Sequence, residues 1–268
     1  MSRTPAPDSR LGETFAACRA EDRAALIGYL PVGYPTVGES LTTLRTMVDA
    51  GCDIVEIGIP YSDPVMDGPT VADAAKLALE KGCRVRDVFP AVEAVAGAGA
   101  RPVVMTYWNL VLKYGVDAFA RDLAAAGGTG VITPNLIPEE GVEWEAAARE
   151  HRLDPIYLVA PSSTPERLAM TLEHCRGFVY AASTMGVTGA RSSVSSMAPE
   201  LCARIREYSE IPIGVGLGVR DGDQAAEIAG YADGVIVGSA IVTAAGESQD
   251  AVAALVGELA DGVRRARR

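Results

Sequence analysis

Gly51-Cys-Asp-Ile-Val-Glu56-Ile-Gly58-Ile-Pro60-Tyr61-Ser-Asp63-Pro64-Val-Met-Asp67-Gly68-Pro69-Thr70 is the stretch on which the reading of this chain turns. From Ile54 to Ile59 it is a short apolar run, of the length and composition of a parallel strand buried on both faces. One acid, Glu56, sits inside that run. Alternation along such a strand puts Ile54, Glu56 and Gly58 on one face and Val55 and Ile57 on the other. The loop that follows holds four turn-formers, Pro60, Pro64, Gly68 and Pro69, and a second acid, Asp67. A carboxyl group in an apolar strand without a counter-charge is costly to ionise, so its pKa rises toward the range useful for proton transfer. Two readings of Glu56 stand at this point: a proton-transfer group, or a structural acid paired with an arginine or with backbone amides. Asp67 taken alone is compatible with an ordinary Asp-Gly turn.

Outward from this stretch, apolar runs of strand length recur at 24–30, 53–58, 102–106, 130–133, 155–159, 177–181, 212–215 and 234–237. Helical stretches separate them, at 39–50, 70–81, 85–98, 116–126, 142–150, 165–174, 197–208 and 221–228, with 249–267 as the last outer helix. The alternation signals a parallel sheet. Eight strand–helix units in a chain of this length favour an α/β fold of the (β/α)8 TIM-barrel type over an open doubly wound sheet. An extra N-terminal helix over 11–20 precedes the first strand and can plug the barrel bottom. Residues 1–8 read as a flexible N-terminal segment and 9–268 as a single TIM-barrel domain, since no composition break divides them.

Of 268 residues, 49 % are hydrophobic, enough for a large core, and the net charge is −11. That charge argues against nucleic acid and against anionic membrane surfaces, which call for basic patches. An anionic substrate must then be held by local amide donors rather than by a global field. The five cysteines, Cys18, Cys52, Cys83, Cys175 and Cys202, are odd in number and lack CxxC spacing, which points to reduced thiols in a cytoplasmic protein. No signal peptide or membrane-length apolar run is read. His151 and His174 have no partner pattern and read as surface residues, so neither a Ser-His-Asp triad nor a metal site is expected. Lys76, Lys81 and Lys113 lie on helices or in a loop, which argues against Schiff-base chemistry.

TIM barrels place chemistry on the loops after the C-terminal ends of their strands. After the seventh strand comes Gly214-Val-Gly216-Leu-Gly218-Val-Arg220, and after the eighth Gly238-Ser239-Ala-Ile, opening a short apolar turn. Converging backbone N–H groups and a helix N-terminus would make a phosphate cradle there. Glycines at strand ends can equally serve packing alone. The long loop after the sixth strand, Ser183-Thr-Met-Gly186-Val-Thr188-Gly189-Ala-Arg191, has the composition of a lid, and Gly189 could reach the same phosphate. Tyr180, at the end of that strand, is either a ligand contact or an ordinary core tyrosine.

Glu56-Ile-Gly-Ile-Pro-Tyr-Ser-Asp63-Pro-Val-Met-Asp67-Gly-Pro resembles the signature of the tryptophan synthase alpha subunit family. So do Tyr180 with Gly186-Val-Thr-Gly189, and Gly238-Ser239-Ala-Ile-Val; the resemblance runs from about Gly28 to Val242. It implies a carbon–carbon lyase that cleaves indole-3-glycerol phosphate to indole and glyceraldehyde 3-phosphate in L-tryptophan biosynthesis. It implies no cofactor in this chain, a pyridoxal-phosphate-dependent beta subunit as partner, and an alpha2beta2 assembly. By position, Glu56 becomes the general acid/base that protonates indole C3, and Asp67 accepts from the indole N–H. Tyr180 and Thr188 line or close the pocket, with Thr188 moving toward Asp67. Amides of Gly189, Gly218, Gly238 and Ser239 hold the phosphate, and Asp63, Pro64 and Asn109 face the beta subunit. Met66 and Asn135 depart from the family pattern, where a small residue and an Asp are usual. Three other readings stay open: a free-standing indole-releasing lyase, a weakly active allosteric partner module, and another phosphate-binding barrel enzyme.

Overall fold

The computed structural model describes residues 9–182, 197–216 and 218–266. Its first half runs α1 Arg10–Ala20, β1 Ala25–Pro31, α2 Val37–Asp49, β2 Ile54–Gly58, α3 Pro69–Glu80, α4 Val88–Ala98, β3 Arg101–Met105, α5 Trp108–Tyr114, α6 Val116–Ala125 and β4 Gly130–Ile132. The second half runs α7 Val142–Glu150, β5 Asp154–Ile156, β6 Leu158–Val159, α8 Pro165–His174, β7 Val179–Ala182, α9 Met197–Arg206, β8 Ile213–Gly216, α10 Gly222–Ala229, β9 Gly234–Val237, α11 Ser239–Glu247 and α12 Gln249–Arg265. The strands form one parallel sheet in the order β5-β4-β3-β2-β1-β9-β8-β7-β6. The fifth barrel strand, read as one run over 155–159, is two short ladders that meet at Tyr157. Its first half pairs with β4 and its second with β7. The Tyr157 carbonyl accepts from the Tyr180 N–H at 3.1 Å, so the chain itself joins the sheet's two ends into a TIM barrel.

Side chains sort by strand alternation into two cores. Ala25, Ile27, Ile54, Val103, Ile132, Ile156, Phe178 and Ile236 fill the barrel interior. Val55, Ile57, Val104, Val131, Val179, Val215 and Val235 face the helices instead. The inner core is closed by α1, whose Leu11, Phe15 and Cys18 pack into it, Phe15 lying 5.6 Å from Phe178 between ring centroids. Ser9 starts that helix by accepting from the Gly12 N–H at 2.9 Å, and its hydroxyl donates to buried Asp154 at 2.6 Å. The N-terminal plug inferred from the sequence is therefore present, and it is tied to the sheet at its first residue.

Three elements differ from the sequence reading. The stretch 85–98 begins with a 3-10 turn, Val85–Asp87, because the Asp87 carboxylate accepts from the Arg84 N–H at 2.7 Å and delays the α-helix to Val88. The loop after β3 contains α5, which carries Asn109 and also Lys113. The apolar turn expected after β9 is a nine-residue helix, α11, since Ser239 through Ala245 holds neither proline nor glycine and Gly246 falls only in the last turn. Among the described residues no helix is long and apolar enough to cross a membrane. All five cysteines are buried and unpaired.

Replacing Phe15 with Ala should leave a cavity under the inner core and cost about 3–5 kcal/mol. A urea-denaturation series would read this as a lower midpoint at unchanged slope. A variant as stable as the wild type would show that α1 does not close the barrel.

Candidate active site

β2 delivers Glu56 to the interior at the level where the apolar layers end. Its register partners are Tyr29 on β1 and Val103 on β3, so in this parallel sheet the Tyr29 and Glu56 side chains share the inner face side by side. Glu56 is 1 % exposed, and its Oε2 has no hydrogen-bond partner among the described residues. Burial first, and the nearby Asp67 second, push the Glu56 carboxyl up to about 8. A structural acid would have a cation or amides at that oxygen; of the two readings the sequence left open, the paired one is not what the described residues show.

The loop from Ile59 to Gly68 folds back so that Asp67 faces the same space. Burial raises the Asp67 pKa as well, but a hydrogen bond with the Tyr107 hydroxyl opposes the shift. Tyr180, buried on β7, completes the ring. Glu56 and Asp67 both add to the rise that burial imposes on the Tyr29 and Tyr180 hydroxyls, which keeps both phenols neutral. Glycine makes room for them: a Cβ on Gly58 would overlap the Tyr29 hydroxyl, and one on Gly216 the Tyr180 hydroxyl. Two acids thus face one another across a mouth walled by neutral aromatics.

The glycine-rich run after β8 divides by role. A Cβ on Gly214 would stand 2.9 Å from Phe178, so Gly214 and Gly216 serve packing rather than anion binding. Gly218, at φ +67, is left for the loop. The helix that follows, α10, is a poor anion site, because the Asp221 side chain accepts from the Gln224 N–H at 2.9 Å and Glu258 from the Gly222 N–H at 2.9 Å. Helix α11 is the opposite case. Gly238 precedes it with no side-chain cap, no acid lies in its first turn, and Ser239 is its first residue. Gly238 also lies against the Tyr29 ring. The N–H groups at the start of α11 therefore open beside the mouth, with the positive end of a helix dipole behind them.

The structure thus brings together Glu56, Asp67, Tyr180, Gly238 and Ser239, with Gly218 in the neighbouring loop. Thr188 and Gly189 lie outside the described residues. Asp63 and Pro64 sit on the loop after β2 and Asn109 on α5, and the two segments meet where Asn109 Nδ2 donates to the Tyr61 hydroxyl at 3.2 Å. Asn135 accepts from the Trp108 N–H at 2.9 Å, tying the loops after β3 and β4 together. Sequence reasoning missed Tyr29 and Tyr107. The signal for Tyr29 was present, two residues past Ile27 on the same strand face; Tyr107 acts across loops, which no periodicity reveals.

Both histidines differ from the sequence reading in having carboxylate partners. His151 Nε2 lies 3.0 Å from Asp117, and His174 Nδ1 2.9 Å from Glu145. No metal site was expected, yet Asp117, Glu150 and His151 hold their ligand atoms within 4.8 Å of one another. Glu150 and Asp117 are exposed, and the His151–Asp117 contact already accounts for the grouping.

A family profile described as tryptophan synthase alpha chain matches residues 15–265. The tryptophan synthase alpha chain of Nocardia farcinica (strain IFM 10152) is 70 % identical over 258 residues, covering 96 % of this chain and 97 % of that protein. A structure of Mycobacterium tuberculosis tryptophan synthase in space group F222 superposes with a TM-score of 0.93 at 66 % identity, covering 96 % of this chain and 98 % of that one. A tryptophan synthase subunit alpha from Legionella pneumophila str. Paris gives a TM-score of 0.84 at 29 % identity, over 95 % and 98 % of the two chains.

The Glu56 carboxyl binds its proton more tightly folded, at about 8, than at the ordinary 4.5. Its contribution to stability is therefore whole below about 4.5 and is lost as pH rises through about 8. Glu56→Gln removes that titration. Its stability relative to wild type should grow with pH, reaching roughly 5 kcal/mol well above pH 8. Denaturation curves at several pH values test this, and a difference that does not change with pH would mean the carboxyl is partnered.

Proposed function

The chain belongs to the tryptophan synthase alpha chain family, and we propose that it cleaves indole-3-glycerol phosphate to indole and glyceraldehyde 3-phosphate. The observation that carries this reading is the buried Glu56 carboxyl near Asp67, its Oε2 without a partner among the described residues. A group pushed up to about 8 holds its proton at neutral pH and can deliver it to indole C3. Protonation there makes the ring a cation, and the Asp67 carboxylate, accepting from the indole N–H, stabilises the charge as it develops. The Glu56 carboxylate then takes the proton of the glycerol hydroxyl next to the scissile bond. That hydroxyl becomes the aldehyde, the carbon–carbon bond breaks, and its electron pair returns to the ring to give neutral indole. Each proton that Glu56 gives up is thereby recovered, and no cofactor of this chain enters the reaction.

Tyr180 and Tyr29 wall the ring, and the start of α11 with the amides of Gly238, Ser239 and Gly218 takes the phosphate. That division suits a chain of charge −11, since main-chain dipoles attract the anion locally without a basic surface. A beta subunit is the proposed partner, in an alpha2beta2 assembly, and pyridoxal phosphate belongs to that subunit in this proposal. The side of the barrel that bears the mouth supports docking. Val65 is 70 % exposed, Leu112 53 % and Ile137 44 %, on the segments after β2, β3 and β4 that also carry Asp63, Pro64 and Asn109.

Glu56→Gln should lower turnover of indole-3-glycerol phosphate at least about 1,000-fold while glycerol phosphate still binds nearly as well. Turnover close to wild type would refute the assignment of Glu56. Titrating the purified chain with a beta subunit should raise its cleavage rate in a saturable way. A rate already maximal without partner would favour the free-standing lyase.

A further inference from the structure

We propose that Tyr107 is a positioning residue, its hydroxyl pinning the loop that carries Asp67 so that this carboxylate is held toward Glu56. The inference rests on the role given to Asp67 above. The Tyr107 ring is buried just past β3, and its oxygen accepts from the N–H of Val65 at 3.0 Å and of Met66 at 3.2 Å. Those amides belong to the two residues immediately before Asp67. With both lone pairs engaged by amides, the hydroxyl has its proton left to donate, and the carboxylate of Asp67, the next residue along, is the acid whose rise it opposes. Amides that polarise the oxygen make that donation stronger. One side chain therefore fixes three consecutive residues of a loop that has no regular structure of its own.

The ring is held in turn. Tyr61 stacks on it with centroids 4.7 Å apart and planes at 30°, and Tyr61 itself is bonded by Asn109. Tyr107 thus has the stiffness needed to position another group rather than follow it. The groups around Asp67 define what its removal would change. Glu56 faces it from β2, Tyr29 from β1 and Tyr180 from β7, each close enough to feel its charge. Tyr107, from the segment after β3, opposes the shift that burial causes. Without that hydroxyl, Asp67 would take up its proton at a higher pH and lose its fixed direction.

Tyr107→Phe keeps the ring and the stack and removes only the oxygen. In the full chain with its beta subunit, kcat for indole-3-glycerol phosphate cleavage should fall about 10-fold while KM changes little, since the charge that Asp67 meets exists only in the transition state. The acid limb of the pH–kcat/KM profile should move up by about one unit, because Asp67 must be ionised to act. Tyr61→Phe, which retains the Tyr107 hydroxyl, should keep the wild-type acid limb. An unmoved acid limb in Tyr107→Phe, or a loss confined to KM, would overturn the proposal. Absence of cleavage by the wild-type complex would instead overturn the lyase reading, so the two failures are distinguishable.

Discussion

A buried carboxyl group, that of Glu56, whose Oε2 has no partner among the described residues, is the constraint around which this barrel is arranged. Three other acids at the strand ends show how unusual the arrangement is. Asp53, just before β2, is gripped by Arg23 through two contacts of 2.8 Å and accepts from the Leu26 N–H. Asp154, opening β5, takes the Ser9 hydroxyl and lies 3.5 Å from Arg176. Asp233, just before β9, accepts from the Ile213 N–H and pairs with Arg206 and Arg19. All three sit at the N-terminal ends of strands, where a barrel concentrates stability, and all three are compensated. Glu56 sits two residues before the C-terminal end of its strand, and no ion pair among the described residues involves it or Asp67. The same residue class is neutralised at one end of the barrel and left exposed to burial at the other.

That difference decides what the mouth can contain. A cation beside Glu56 would ionise it and cancel the rise that burial gives, so the mouth is built from groups that cannot pair with it. Tyr29 and Tyr180 provide polar tips that stay neutral, and Gly58 and Gly216 surrender their side chains to let those tips in. The bottom of the barrel is sealed by α1, which keeps water from reaching Glu56 from below. The start of α11 beside the mouth supplies positive potential from main-chain amides rather than from a titratable cation. A lysine or arginine at that place would lower the pKa of the acid a short distance away.

Much of this was legible in the residues. Period-two alternation put Glu56 on one face with Ile54 and Gly58, and the fold, in which Ile54 joins the inner core, shows that face to be the interior one. The N-terminal plug was legible from the position of a short helical stretch before the first strand. The glycine-rich run after β8 was misleading in part. Spacing alone cannot separate a glycine that clears a ring, as Gly214 and Gly216 do, from one that lends its amide to a ligand, and only the neighbouring Phe178 and Tyr180 decide. The choice between α10 and α11 as the anion-binding helix was likewise hidden, since it depends on Asp221 and Glu258 already occupying the α10 amides from within the fold. Tyr107 was hidden for a third reason: its partners are backbone amides on another loop, and such amides carry no sequence signature.

Two acids in one mouth raise the question of how they come to differ in acidity. Glu56 is buried and Asp67 half-buried, and proximity alone would couple their titrations, as it does in paired carboxylates. The structure separates them by burial and by hydrogen bonding together. Glu56 Oε2 accepts nothing from the described residues, so burial acts on it almost unopposed; Asp67 receives the Tyr107 hydroxyl, which favours its charged form. The acid on the rigid strand is thereby the one whose rise goes unopposed, and the acid on the loop is the one whose rise is held back. A proton donor benefits from fixed geometry, because transfer to carbon tolerates little error in distance. A carboxylate that only meets a developing positive charge tolerates more, and it can ride on a loop provided one side chain holds that loop in register with the strand.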